Sequence, residues 1–169
     1  MRIVEADLED ARTVDLLRTH FTTARAATAP GSAHALDVDG LRAPEVEVWA
    51  LWDGDDLVGI GALKQLTPDH GEVKSMHVAQ AKRGAGVGST MLRHLLASAR
   101  QSGMARVSLE TGSWAYFEPA LALYRKHGFV ACPPFAEYRP DPNSVFLSLD
   151  LDGPGKGQSG QAEWEVGQK

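Results

Sequence analysis

The chain is short of cysteine, of basic charge and of long apolar runs. Cys132 is its one cysteine in 169 residues, which excludes an internal disulfide and any zinc site built from several cysteines. Lysine and arginine number 17 against 22 aspartates and glutamates, a net charge of −5. A nucleic-acid binder should present a basic face instead. No uncharged apolar run approaches the roughly 18 residues needed to span a bilayer. Residues 1–10 hold no apolar stretch and carry four acids, Glu5, Asp7, Glu9 and Asp10, unlike a secretory signal. These absences predict a soluble, cytoplasmic protein with neither nucleic acid nor membrane as partner. What is present is ordinary globular material: 43% hydrophobic and 23% charged residues argue against disorder and coiled coil. The length suits one compact domain.

Hydrophobic periodicity divides residues 1–151 into alternating strands and helices. Residues 1–6 read as a strand, and Asp7 as the N-cap of a helix whose apolar stripe is Val14, Leu17, Phe21 and Ala24. Residues 27–44 dissolve into a long loop of the kind that often carries function. Residues 45–52 and 57–63 read as strands joined at Asp53-Gly54, a hairpin signal. In the next strand, 71–78, the apolar positions 73, 76 and 78 slip once from strict alternation, which fits a β-bulge. Residues 87–102 form the clearest helix, closed by Gly103. A strand at 105–111, a helix opened by Pro119 and ended by Gly128, a proline-marked loop at 132–142 and a strand at 144–151 complete the order. The result is an α/β domain with one sheet. Residues 152–169 hold four glycines within 153–160 and read as a flexible tail, although Trp164 and Val166 could anchor it.

The most informative segment is Gln80-Ala81-Lys82-Arg83-Gly84-Ala85-Gly86-Val87-Gly88-Ser89, set between a strand and a helix. Glycines at 84, 86 and 88 remove side chains, so backbone N–H groups can converge on one anion. The helix N-terminus behind them adds partial positive charge, and Lys82 and Arg83 stand alongside. The same glycines also suit a plain tight turn. Two familiar phosphate loops fail on spacing. No lysine follows a suitable glycine as a Walker loop requires, and G-x-G-x-G is not the dinucleotide G-x-G-x-x-G.

What fits is Arg-x-x-Gly-x-Gly, at Arg83, Gly86 and Gly88. With the preceding strand and the later A-x-x-L-Y-x-x-x-G-F run from Ala120 to Phe129, the sequence resembles the GCN5-related N-acetyltransferase superfamily over residues 1–151. The LETG segment (109–112) and the PF-x-x-Y-x-x-D-P-x-S-V-F segment (134–146) resemble a bacterial subgroup of it. One departure stands out: many members carry asparagine where this chain has Phe117, which removes one expected pantetheine contact.

The resemblance implies a mostly antiparallel sheet flanked by helices and an acetyl-CoA-dependent N-acetyltransferase with no metal. Its acceptor would be a primary amine of a small molecule or peptide. It implies that Arg83, Gly84, Ala85, Gly86, Val87, Gly88 and Ser89 hold the diphosphate. Met76, His77 and Val78 would hold the pantetheine, with a bulge N–H for the oxyanion. Tyr124, also beside the cofactor, would be the general acid near the sulfur; a core aromatic is its other reading. Deprotonating an amine like lysine's at neutral pH takes about 4.6 kcal/mol, so a base helps. Glu72 and Glu110 are the candidates, and each also fits a solvated charge at a strand end.

The acceptor space expected between the two long loops would draw on His34, Asp37, Asp39, Phe135 and Tyr138. Trp49 and Trp52 read as core or interface, and Cys132 as a structural thiol. The resemblance is compatible with a homodimer. A second functional class stays open: an acyl-CoA-binding module that regulates a partner without catalysis.

Overall fold

The computed structural model describes residues 1–151. The expected tail, with Trp164 and Val166, lies outside them. Seven strands form one sheet in the order β1-β2-β3-β4-β5-β7-β6. The strands are β1 (Arg2–Glu5), β2 (Val46–Asp53), β3 (Asp56–Thr67), β4 (His70–Val78), β5 (Arg106–Gly112), β6 (Val130–Ala131) and β7 (Ser144–Asp150). All neighbours are antiparallel except β4 and β5. The expected α/β architecture is therefore what forms.

Three helices cover the sheet: α1 (Ala11–Ala26), α2 (Val87–Gln101) and α3 (Glu118–Lys126). On one face, Val87, Met91, Leu92, Leu95 and Leu96 of α2 pack with Leu121 and Tyr124 of α3 against Val58, Leu63, Val73, Val107 and Leu109. On the other, Leu17 of α1 meets Leu41, Val48, Ile60 and Ala62 in a smaller cluster. Of the expected stripe, Leu17 is buried and Ala24 lines a cavity; Thr13 is buried as well, Leu16 packs on the smaller cluster and His20 lines the cavity. Only the first half of the helix lies over core; its second half borders that cavity, where a polar side chain is welcome.

Asp7 does not cap α1. Residues 7–10 close a turn, with the Asp10 N–H donating to the Asp7 carbonyl at 3.2 Å, so the helix cannot begin before Ala11. Asp10 is the cap, accepting from the Arg12 N–H at 2.8 Å, while Asp7 Oδ1 accepts from the Glu9 N–H.

Two features of β4 shape the site. Opposite β3, Ile60 pairs with His77 and Ala62 with Lys74, so Ser75 and Met76 together face Gly61. This is the bulge that the slipped alternation suggested, and Ser75 takes a left-handed φ of 51° there. Opposite β5, pairing covers only His70–Arg106, Gly71–Val107 and Glu72–Ser108. Beyond Glu72 the strands diverge, and the backbone edge of β4 from Val73 to Val78 has no strand partner on that side.

Candidate active site

A cavity of about 600 Å³ opens where β4 and β5 part. One end is backbone. Gly84 and Gly86 both sit at φ +80°, and a Cβ on either would meet nothing within 4 Å, so it is the backbone angle that calls for glycine. Gly88 is needed for closeness: a Cβ there would lie 3.0 Å from Leu123. The first intrahelical bond of α2 runs from the Thr90 N–H to the Gly86 carbonyl. The N–H groups of Gly84, Gly86, Val87, Gly88 and Ser89 thus have no protein acceptor among the described residues. Ala85 differs from the expectation. Its N–H is taken by the Lys82 carbonyl, and it does not line the cavity.

The other end is made of side chains from separate elements. Glu72 is 3% exposed at the start of β4, not a solvated strand-end charge. Its Oε1 accepts from the Tyr138 hydroxyl at 2.5 Å and from Lys74 Nζ at 3.1 Å. Lys74 also donates to the Tyr138 hydroxyl at 2.9 Å. Burial and the neighbouring Glu72 carboxylate push the Tyr138 phenol far above its ordinary range, so it keeps its proton and donates it to Glu72. Glu110 of β5 lines the same cavity. Burial pushes its carboxyl up to about 7, while the Ser144 hydroxyl and the Lys74 ammonium pull the other way.

His77 faces α1, its Nδ1 3.3 Å from that of His20. Burial holds both imidazoles at about 4, so both are neutral at pH 7 and one donates to the other. Tyr124 of α3 is buried on the cavity wall against Phe129, and burial raises its phenol well above the usual value. Met76, Val78, Arg83 and His34 also line the cavity, with the His34 ring edge-on to Tyr138 at 5.1 Å.

Some expected residues stand elsewhere. Asp37 and Asp39 serve the short helical turn Gly40–Arg42: Asp37 accepts from the Gly40 N–H at 2.8 Å and Asp39 sits 3.9 Å from Arg42. Neither lines the cavity, because that turn folds them back on their own loop. Phe135 packs behind the wall against His70, Tyr138 and Phe146. Tyr138 likewise acts from behind, through its hydroxyl. Trp49 meets His94 edge-to-face and Trp52 lies under Arg12. The Cys132 thiol is pushed up by burial, as an inert thiol should be. Phe117 covers Gly112 so closely that a Cβ there would overlap its ring.

Residues that sequence reasoning missed are Lys74, His20, Thr28, Ser32 and Tyr116, all on the cavity wall. Lys74 had a readable signal, since it lies two positions after Glu72 and so on the same strand face. Among the described residues, no three His, Cys, Asp or Glu side chains are grouped to hold a metal ion. No described helix is long and apolar enough to cross a membrane.

The family model described as acetyltransferase (GNAT) matches residues 11–129. This chain belongs to that family. The GNAT match runs from α1 through α3 and so takes in both ends of the cavity. The chain is 44% identical over 151 residues to the uncharacterized N-acetyltransferase YsnE of Bacillus subtilis, covering 89% of this chain and 100% of that one. It is 48% identical over 145 residues to the uncharacterized N-acetyltransferase YedL of Escherichia coli, covering 86% and 91%. Rv2747 from Mycobacterium tuberculosis, solved in complex with CoA, shares the fold at a TM-score of 0.66 and 22% identity, over 89% of this chain and 99% of that chain. As a GNAT protein with such relatives, the chain is an N-acetyltransferase.

Proposed function

We propose that this N-acetyltransferase takes acetyl from acetyl-CoA and places it on a primary amine of a small molecule or peptide. One observation carries the reading. A single cavity joins a cluster of unpaired backbone N–H groups at Gly84 and Gly86–Ser89 to a half-buried carboxyl that burial raises to about 7, Glu110. The N–H groups suit a diphosphate, which asks for several converging donors and a helix N-terminus. The unpaired edge of β4 from Met76 to Val78 suits the amide groups of a pantetheine arm. That a fold neighbour was solved with CoA supports the fit.

Acetyl-CoA supplies the thioester carbon to which the amine nitrogen becomes bonded, with coenzyme A released as the thiol. The chain's residues manage the protons. Glu110 takes one from the acceptor's ammonium. At about 7 it does so about 3 kcal/mol more readily than a carboxylate at its ordinary value. Glu72, with one oxygen held by Tyr138 and Lys74, is a fixed charge that orients the ammonium. Tyr124 keeps its proton and is the donor to the departing sulfur. The neutral His77 is a wall residue rather than a base.

The test is thiol release from acetyl-CoA over a panel of primary amines. Release above the hydrolysis rate with at least one amine is expected, and loss of that release in Glu110→Gln. Micromolar binding of acetyl-CoA with no release for every amine would overturn acetyl transfer in favour of a regulatory binding module. No binding of acetyl-CoA at all would overturn the cofactor reading itself.

A further inference from the structure

Lys74 stands out on the acceptor wall. A site for a protonated amine gains nothing from an ammonium of its own, since like charges at close range repel. Yet the Lys74 side chain is only 9% exposed, held inside the cavity wall beside Glu72, itself 4% exposed. An ammonium has three N–H donors. One of them reaches Glu72 Oε1 and a second the Tyr138 hydroxyl. The third has no protein acceptor among the described residues. The same asymmetry appears on Glu72: both its donors use Oε1, leaving Oε2 without one. The wall therefore shows the cavity a charged donor and a charged acceptor side by side, with the Glu110 carboxyl close enough to feel Lys74. Even with Glu72 as its ion-pair partner, one N–H of this nearly buried ammonium lacks an acceptor, which is unfavourable, so a ligand that brings its own anion suits the cavity beside it.

We propose that the acceptor carries a carboxylate beside its amine, as a free amino acid does, and that Lys74 is the residue that selects it. This rests on the acetyl-transfer reading for its chemistry and goes beyond it in naming the substrate class. The acceptor's carboxylate takes the third N–H of Lys74. Its ammonium faces Glu110 and the open Oε2 of Glu72. Tyr138 holds Lys74 and Glu72 in place from behind, and Thr28, Ser32 and His34 add polar groups to the same wall. Hydrogen bonds between ionised partners are about twice as strong as neutral ones, so losing the substrate's charge should tell even where its shape is kept.

The experiment compares free L-amino acids with their carboxamides as acceptors, which keep the carbonyl oxygen and remove the charge. For the best amino acid, the wild-type protein should favour the acid over its amide at least tenfold in kcat/KM. Lys74→Met should lower that ratio at least fivefold relative to wild type, and Lys74→Arg should largely retain it. The change in that ratio between wild type and variant is what matters, because the amide's effect on amine basicity enters both proteins alike and any effect of Lys74 on Glu110 enters both substrates alike. Unchanged acetyl-CoA affinity in Lys74→Met certifies its fold, and the wild-type and Lys74→Arg ratios stand without it. A wild-type preference for the amide would overturn the proposal. So would an equal loss on acid and amide in Lys74→Met, which is what a lysine acting on the reacting atoms would give. Calorimetric binding of the same pairs to the CoA-bound protein reads the preference without turnover. Absence of turnover with every amine would count against acetyl transfer, whereas absence of any acid-over-amide preference in binding counts against Lys74.

Discussion

The two ends of the cavity are built on different plans. The glycine-loop end is main chain from one continuous segment, Gly84–Ser89, whose working groups are N–H donors fixed by two positive φ angles and a helix start. The acceptor end is side chain from α1, the 27–44 loop, β4, β5 and, behind the wall, the 132–143 loop. A main-chain site tolerates exchange of the side chains around it, provided the glycines stay. A side-chain site can be retuned one residue at a time. The comparison teaches that one end of the cavity is fixed by local conformation, while the other is fixed by residues far apart in the chain.

Substitutions at the two ends should therefore separate affinity from turnover. Glu110→Gln should have the largest effect, lowering kcat by about a hundredfold or more, as removal of a general base does. Acetyl-CoA affinity should stay within about twofold, measured by calorimetry. The pH profile of kcat/KM sharpens the same point. Wild-type activity should rise through about pH 7 as Glu110 loses its proton, and that limb should vanish in the variant. Tyr124→Phe should lower kcat roughly tenfold or more at unchanged acetyl-CoA affinity, read by single-turnover thiol release. If affinity falls instead, Tyr124 is a packing residue.

At the other end the pattern should invert. Gly86→Ala places a Cβ at φ +80°, a strain of about 1 kcal/mol or more, so acetyl-CoA affinity should fall roughly tenfold while kcat at saturation falls far less. The smallest effect is on stability. Because folding raises the Glu110 pKa from 4.5 to about 7, the folded state binds that proton more tightly than the unfolded one. The destabilisation is absent below about pH 4.5, grows as the pH rises, and is complete above about 7. Glu110→Gln should thus raise Tm by a few degrees at pH 8 and leave it unchanged at pH 4, checked by thermal melts at both.

This division also explains what could be read from the sequence. The loop from Arg83 to Ser89 was legible because its chemistry is contiguous, and so was the bulge at Ser75–Met76, written in the slip of apolar positions. The acceptor end was legible only as separate candidates, among them Glu72, Glu110, His34 and Tyr138, and not as an arrangement. Glu72 and Glu110 look like strand-end charges until the fold buries one against Tyr138 and Lys74 and half-buries the other on the cavity wall. His20 sits where an apolar residue would extend the helix stripe, because that part of α1 borders the cavity and meets the polar His77 of β4. Asp37 and Asp39 belonged to a suggestive loop, yet a short helical turn consumed them. Asp7 and Asp10 are both good caps in isolation, and only the preceding turn decides between them.

Phe117 and Gly112 carry a last consequence. The phenyl ring rests where any side chain at 112 would have to be, so the two positions are not free to vary separately. Lineages that keep the aromatic should keep the glycine, and those that carry asparagine at 117 are free to enlarge 112. Comparing descendants of a common ancestor would then reveal paired replacements at these sites, a trace left in genealogy by a single steric overlap.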